Sequence, residues 1–215
     1  MGDQTAEAAR RPRADAVRNR ERVLEAAKSV FSAGGKEASL DAVARQAGVG
    51  IGTLYRHFPT REALYEAVYR REVEHLADLA ETLKADPSPS QALRTWLRSN
   101  VEFVATKKGM SAALALAAQA SSELSAYSFE RLTRAVGMLL DRAIAAGEIR
   151  ADIGPADLLR ALIGMCYLHD QPGWQETVQR LLEVFVDGLC AKPAAKGNWA
   201  MPSGRLDAAQ ARSSR

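Results

Sequence analysis

Apolar residues recur at the spacing of an α-helix along most of the chain, and this repeat limits the fold more than any other feature of the sequence. In the stretch that begins at Val23, apolar side chains return at i, i+4, i+7 and i+8, which places them on one face of a helix. The sequence contains no segment of four or more residues with the alternation of a half-buried strand. The repeat therefore predicts an all-α protein of about nine helices.

Composition divides the chain into four parts. Residues 1–15 are rich in alanine and arginine and predict a mobile basic arm, and residues 191–215 predict a flexible tail. Between them, residues 16–70 hold three short helical segments, and residues 71–190 hold the longer helices. We call residues 16–70 the head and residues 71–190 the body.

Charge follows nearly the same division. Residues 1–71 contain 13 Lys and Arg against 9 Asp and Glu, whereas residues 72–190 contain 11 against 16. A basic head on an acidic body is typical of a polyanion-binding module attached to a part that stays away from the polyanion.

Several protein classes are excluded by composition or by missing motifs. The 215 residues are 47% hydrophobic and 26% charged, a balance unlike that of a disordered chain. No run approaches the ~18 apolar residues of a membrane span, and the first thirty residues lack a secretory signal. Cys166 and Cys190 have no disulfide or zinc spacing. We expect a cytoplasmic protein with no membrane partner, metal, cofactor or catalytic site.

Two patterns in the sequence resemble functional motifs. Glu72 and His75 have the i, i+3 spacing of half a di-iron site, but the sequence lacks the second pair that such a site needs. Gly48, Gly50 and Gly52 resemble a dinucleotide-binding loop, yet they follow a helical segment and not a strand. We interpret the first pattern as a solvated helix face and the second as a turn.

Three helical segments of the head, about 17–33, 39–47 and 50–57, form a candidate DNA-binding unit. Ser39 is a suitable N-cap for the second segment, and Gly48 is a suitable end. Two helices joined by a turn of about three residues are typical of a helix-turn-helix, whose second helix lies in the major groove of DNA.

Side chains of the third segment divide between an inner and an outer side. Leu54 and Phe58, at i and i+4, are expected to pack on the first two segments. Thr53 is expected to meet a base edge, and Tyr55 and His57 to donate hydrogen bonds to phosphate oxygens.

The start of this segment is unusual because it contains two glycines, each of which costs roughly 1 kcal/mol relative to alanine within a helix. Gly50 and Gly52 would let the backbone approach either a phosphate chain or a neighbouring helix. Ile51 would contact a thymine methyl group or pack inside the three-helix unit, and the sequence leaves both alternatives open.

The head closely resembles the DNA-binding domain of TetR-family (tetracycline repressor) transcriptional regulators. The resemblance spans about residues 17–70 and is carried by SLDAVA (39–44), AGV (47–49) and GTLYRHFPTREAL (52–64). It implies an all-helical homodimer with an N-terminal helix-turn-helix domain, a C-terminal ligand and dimerisation domain, and a pseudo-palindromic DNA operator as partner. It also implies DNA contacts by Ser39, Thr53, Tyr55, His57, Thr60 and Arg61.

Two positions differ from many relatives. Gly50 stands where serine is common, and Arg61 where lysine is common. Arginine keeps the charge that binds phosphate, whereas glycine gives up one hydrogen bond.

The body is expected to form the dimer and to bind a small effector. The last two predicted helices, about 155–169 and 174–189, carry apolar stripes wide enough to be buried on two sides, and the resemblance places the dimer interface there. A pocket for a hydrophobic or amphipathic effector is expected between the fifth, seventh and eighth predicted helices. Its expected lining is Trp96, Phe103, Met110, Phe129, Met138, Cys166 and Tyr167.

Other interpretations of the body remain. Each aromatic or sulfur-containing side chain of the expected lining could instead belong to the core, and Cys166 could be a redox-sensing thiol or an inert core residue. A ligand-independent DNA-binding regulator would have a solidly packed body. A dimerisation module would not bind DNA, and a helical enzyme would need a catalytic cluster that the sequence lacks.

Overall fold

The computed structural model describes residues 3–33, 39–114, 118–167 and 172–190, and within these ranges it consists of helices and connecting turns without a strand. The eight described helices are α1 (Asp3–Ala33), α2 (Leu40–Ala47), α3 (Ile51–His57), α4 (Arg61–Leu83), α5 (Pro89–Leu114), α6 (Ala118–Ala145), α7 (Pro155–Cys166) and α8 (Trp174–Cys190). The predicted all-α fold is confirmed. None of the described helices is long and apolar enough to cross a membrane.

The described part of the chain has eight helices and not about nine, because one predicted helix does not exist separately. The sequence pattern predicts that the fifth helix ends at Gly109 and that a helix of small residues follows over about 110–120, but α5 continues through Gly109 to Leu114. A glycine inside a helix keeps its backbone N–H, so it weakens the helix by roughly 1 kcal/mol without interrupting the hydrogen-bond ladder. The helix predicted over 110–120 is instead divided between the end of α5 and the start of α6.

The N-terminal arm is also different from the prediction. Helix α1 begins at Asp3, so the backbone of residues 3–15 is helical where a mobile arm was expected. Alanine and arginine, which are frequent here, have high helix propensity, and this preference outweighs Pro12. The tail predicted over 191–215 lies outside the described residues.

Three helix starts follow the sequence signals. The Ser39 Oγ accepts a hydrogen bond from the Ala42 N–H (3.1 Å) at the start of α2. The Thr60 Oγ1 accepts one from the Ala63 N–H (3.1 Å) at the start of α4. Pro155 is the first residue of α7, where its missing N–H costs no helical hydrogen bond. The predicted N-cap role of Ser39 is confirmed, and Thr60 and Pro155 begin their helices through the same kind of local signal.

Helix α4 crosses the boundary between head and body and packs into both. The Tyr65 ring stacks on Phe31 of α1, with 4.1 Å between ring centroids. One turn later, the Tyr69 ring packs against Phe103 of α5 at 5.3 Å, and its hydroxyl donates to the Ser128 Oγ of α6 at 2.8 Å. Buried apolar residues therefore form one continuous core from α1 to α8.

Trp96 of α5 is fully buried in this core. Its indole Nε1–H donates a hydrogen bond to the Leu76 carbonyl of α4 at 2.8 Å. The side chain thus fixes α5 against α4 through both packing and a directed bond.

We expect Trp96→Phe to lower the free energy of unfolding by about 1–3 kcal/mol, because it removes this donor and part of a buried ring system. Urea denaturation followed by circular dichroism measures the change. Trp174→Phe is the matched control, since Trp174 is only partly buried and should cost less. Equal losses in the two variants would contradict the role given to Trp96.

Candidate DNA-binding surface and body cavity

The turn between α2 and α3 depends on a glycine. Gly48 adopts φ +64°, a left-handed conformation that a residue with a side chain rarely adopts. Its N–H donates to the Arg45 carbonyl at 3.1 Å, and the Val49 N–H donates to the Ala44 carbonyl at 3.0 Å. These bonds end α2 and leave a turn of three residues before α3 begins, as is typical of a helix-turn-helix.

Helix α3 has the predicted inner and outer sides. Leu54 is fully buried and Phe58, just after the helix, is nearly so. On the outer side, the Tyr55 side chain is 48% exposed, and Thr53 and His57 are half-buried. The three polar side chains predicted to face DNA therefore lie outside the core.

The structure narrows the interpretation of the glycines. Gly50 is the N-cap of α3, so Gly52 alone lies within the helix. No described heavy atom lies within 4 Å of a Cβ built at either position, so packing against a neighbouring helix of this chain does not require glycine there. Ile51 is 38% exposed and is not part of the buried core. These positions leave an open surface along the first turn of α3.

The start of α4 is only partly as expected. Thr60 is exposed, and a hydroxyl whose oxygen accepts the capping bond still has its own proton to donate. Ser39 at the start of α2 has the same property. Arg61 differs, because its guanidinium donates to the Tyr65 hydroxyl (2.8 and 3.1 Å) and lies 5.6 Å from the Phe31 ring centroid. Its predicted phosphate contact would require it to leave this position.

Three arginines that the sequence analysis did not assign to the DNA-binding surface lie on α3 or beside it. Arg22 of α1 lies near the preceding turn, with 3.5 Å from its Nη2 to the Gly48 carbonyl, and the Arg20 guanidinium lies 5.4 Å from the Phe58 ring centroid. Arg56 is exposed on α3 itself. In the sequence, these arginines are visible only as basic charge near the helix-turn-helix. This charge indicates phosphate binding once the fold places α1 beside α3.

The body contains a cavity of about 680 Å³ between α4, α5, α6 and α7. Four of the predicted lining residues do line it, namely Phe103, Phe129, Cys166 and Tyr167. Its volume is in the range typical of small-molecule sites. We call it the body cavity.

Of the other three predicted lining residues, two do not line the cavity, and the side chain of the third lies outside the described residues. Trp96 does not line the cavity, because its ring is buried between α5 and α4 and its N–H is directed to Leu76. Met138 packs against the core elsewhere along α6. The side chain of Met110 lies outside the described residues.

Sequence reasoning missed the polar side of the body cavity. The Tyr69 hydroxyl donates to the Ser128 Oγ, which donates to the Ser125 carbonyl at 3.0 Å. Asn100 also lines the cavity and is only 3% exposed. The available signal was a polar amide on the otherwise apolar face of α5, beside Leu97.

Cys166 lines the cavity as a neutral thiol. Its side chain is nearly fully buried, and burial raises the pKa of the thiol to about 11. At neutral pH the reactive thiolate is therefore scarce, which favours the inert interpretation over redox sensing.

The Glu72 carboxylate joins α4 to α1. It lies 2.7 Å from the Lys28 Nζ and 3.7 Å from the His75 Nδ1. The side chain of Glu72 is only 8% exposed, and not part of a solvated face as expected. The described residues contain no group of three or more potential metal-binding side chains.

Two family models match different parts of the chain. Bacterial regulatory proteins of the tetR family match residues 23–68, and the C-terminal domain of SbtR-like transcriptional regulators matches residues 88–191. The TetR transcriptional regulator SCO0520 from Streptomyces coelicolor is 42% identical, with a TM-score of 0.73 over 80% of this chain and 99% of that chain. This protein belongs to the TetR family.

Further relatives agree with this assignment. The TetR transcription regulatory protein from Mycobacterium vanbaalenii is 36% identical, with a TM-score of 0.69 over 83% of this chain and 99% of that chain. The HTH-type transcriptional regulator SAB2452 from Staphylococcus aureus (strain bovine RF122 / ET3-1) is 36% identical over 75 residues, 34% of this chain. The match spans 40% of that curated relative's length.

TetR regulators are non-enzymatic proteins that bind DNA operators and form dimers. In this TetR regulator, α4 connects α3 to the body cavity, since it follows α3 directly and contributes Tyr69 to the cavity wall. Further along α4, the Glu74 carboxylate accepts hydrogen bonds from Arg131 (2.9 Å) and Tyr127 of α6. These bonds, that of Arg131 first, hold the pKa of Glu74 below its ordinary value.

We expect Gly52→Ala to raise the free energy of unfolding by about 0.5–1 kcal/mol, because alanine is the better helix former and its Cβ meets open space. If α3 approaches the DNA backbone at this point, the same methyl group should weaken DNA binding several-fold. Thermal denaturation and fluorescence anisotropy with labelled DNA measure the two effects.

Gly137→Ala in α6 is the matched control, since its added Cβ would make only ordinary contacts at 3.7 Å with Pro155. It should raise stability without changing DNA affinity. Unchanged DNA binding by Gly52→Ala would contradict a close approach of α3 to DNA.

Proposed function

We propose that this TetR regulator is a cytoplasmic homodimeric repressor that leaves its DNA operator when a small hydrophobic or amphipathic effector enters the body cavity. The observation that carries the proposal is that α4 belongs to both sites. It begins beside the exposed surface of α3, and its Tyr69 lines a cavity of about 680 Å³.

For DNA binding, the proposal assigns separate roles to side chains of α3. The half-buried Thr53 reads a base edge, whereas Tyr55 and His57 bind phosphate oxygens. Arg20 and Arg22, which border α3, add phosphate-binding charge that falls off with salt.

For dimerisation, the proposal uses the exposed apolar side chains of α7 and α8. Leu181 and Val184 on α8 are 43% and 72% exposed, and Ile163 on α7 is 42% exposed. Large apolar side chains grouped on neighbouring helices are typical of a buried interface between subunits. Pairing α7 and α8 with the same helices of a second copy would place two α3 helices to meet successive major grooves, about 34–36 Å apart.

The body cavity favours effector control over a ligand-independent regulator. A solidly packed body would leave no room for a small molecule, whereas this cavity has the volume of a typical ligand site. A ligand that binds the two states of the head and body with different affinities shifts DNA binding without contacting DNA.

Selection of bound fragments from genomic DNA by the purified protein tests the proposal. We expect enrichment of fragments with two related half-sites, and release of these fragments by a compound that binds the body cavity. Transcription from an enriched promoter should rise when the gene for this protein is deleted. A fall in transcription would contradict repression, and no enrichment would contradict operator binding.

We expect Thr53→Ala to change the preferred bases of the selected fragments, because it removes a hydroxyl and methyl group near the bases. Tyr55→Phe and His57→Ala should weaken binding to all sequences about equally, since they remove phosphate contacts. Competition binding with fragments that differ at single positions measures both effects. A changed preference with intact affinity in Tyr55→Phe would reverse the assigned roles.

We expect Val184→Glu to convert the dimer largely to monomer, because it places a charge in the proposed apolar interface. Gln179→Glu adds the same charge to a different side of the same helix and should leave the dimer intact. Analytical ultracentrifugation distinguishes the two outcomes. A dimeric Val184→Glu protein would place the interface elsewhere.

A further inference from the structure

We propose that the effector is an uncharged, mainly apolar molecule with a hydrogen-bond acceptor, such as a carbonyl oxygen, that pairs with the side-chain amide of Asn100. This inference rests on the proposed function, since it names the chemistry of the molecule that enters the same cavity. It is carried by the state of Asn100 and by the charge of the described cavity wall.

Asn100 is a buried polar group that the described residues leave incompletely paired. Its side chain lines the body cavity and is 3% exposed. The amide Nδ2 has no hydrogen-bond partner among the described residues. A buried donor without a partner is unfavourable, so a ligand acceptor placed there gains a bond that the empty site does not have.

The neighbouring hydroxyl groups are already engaged with one another. The Tyr69 hydroxyl donates to the Ser128 Oγ at 2.8 Å, and the Ser128 hydroxyl donates to the Ser125 carbonyl at 3.0 Å. Their protons are therefore directed within the protein. Among the buried side chains of the described lining, the Asn100 amide Nδ2 is a donor left for a ligand.

Charge on the described wall disfavours an ionised effector. The described lining residues include no Asp, Glu, Lys, Arg or His. The guanidinium of Arg160 lies 5.4 Å from the Phe129 ring centroid, but it pairs with the Asp157 carboxylate at 3.5 Å. Against this described part of the wall, a carboxylate or ammonium group would lose its hydration without gaining a counter-ion.

The apolar part of the wall suits flat rings. Phe103, Phe129 and Tyr167 contribute aromatic side chains, and Leu159 adds an aliphatic one. Aromatic rings favour offset-stacked or edge-to-face contacts with other rings. We therefore choose aromatic probes for the test.

The test compares three probes of similar size by displacement of Nile red, an uncharged dye that fluoresces in apolar surroundings. Benzophenone has a carbonyl acceptor, diphenylmethane has a methylene group in its place, and diphenylacetate has a carboxylate. We expect benzophenone to bind about 5- to 10-fold more tightly than diphenylmethane, as one hydrogen bond predicts. Diphenylacetate should bind at least tenfold more weakly than benzophenone.

Two variants assign the preference to Asn100. Asn100→Leu should bring the ratio of the two uncharged affinities close to one, because it keeps the approximate volume and removes the amide. Leu159→Met, at another lining position, should change both affinities alike and keep the ratio. A benzophenone-to-diphenylmethane affinity ratio near one in Asn100→Leu indicates a lost hydrogen bond, whereas a general disturbance of the cavity would weaken both probes and keep the ratio.

Failure of this inference differs from failure of the proposed function. Equal binding of diphenylacetate and benzophenone, an unchanged ratio in Asn100→Leu, or failure of the dye or probes to bind would overturn the effector class. If benzophenone binds with the expected preference but does not release the protein from its selected DNA, the class of ligand is supported. Effector release, and with it the proposed function, is then contradicted. DNA release is therefore measured in parallel by anisotropy.

Discussion

Helix α4 is held by aromatic contacts on two consecutive turns, and these contacts connect the DNA-binding surface to the body. Tyr65 stacks on Phe31 in the head, while Tyr69, four residues later on the same face, packs against Phe103 and donates to Ser128 in the body. Because protein interiors are closely packed, a displacement of Tyr69 cannot occur without a change in the packing of the whole helix. The start of α4 directly follows α3, so its position sets the position of the exposed side chains of α3.

Ion pairs add to the attachment of α4 to α1. The nearly buried Glu72 pairs with Lys28, and Arg71 pairs with Glu25 at 2.7 Å and Glu21 at 3.3 Å. Exposed ion pairs contribute little individually, but Glu72 is mostly removed from water, and loss of Lys28 would leave its charge buried without a close cation. These pairs favour one placement of α1, which in turn places Arg20 and Arg22 beside α3.

The head could be predicted well from sequence because its signals are local. Ser39, Gly48 and Thr60 define helix ends within a few residues, and Leu54 and Phe58 show their inner position through i, i+4 spacing. The body cavity could be predicted only in part, because its polar side combines α4, α5 and α6 through contacts between distant residues. Residue type alone could not separate Trp96, which is directed to the Leu76 carbonyl, from Phe103, which lines the cavity. The position of the Arg61 side chain could not be predicted for the same reason, since its partners Phe31 and Tyr65 become neighbours only in the fold.

The position of Tyr69 also limits how an effector could act. A ligand changes an equilibrium only through a difference in its affinity for two states, however tightly it binds either one. In this TetR regulator, the Tyr69–Ser128 hydrogen bond both forms part of the cavity wall and joins α4 to α6. A molecule that fills the cavity therefore contacts the same pair of side chains that positions α4. The proposed effect of such a molecule on DNA affinity therefore requires that it fit the cavity differently in two positions of α4.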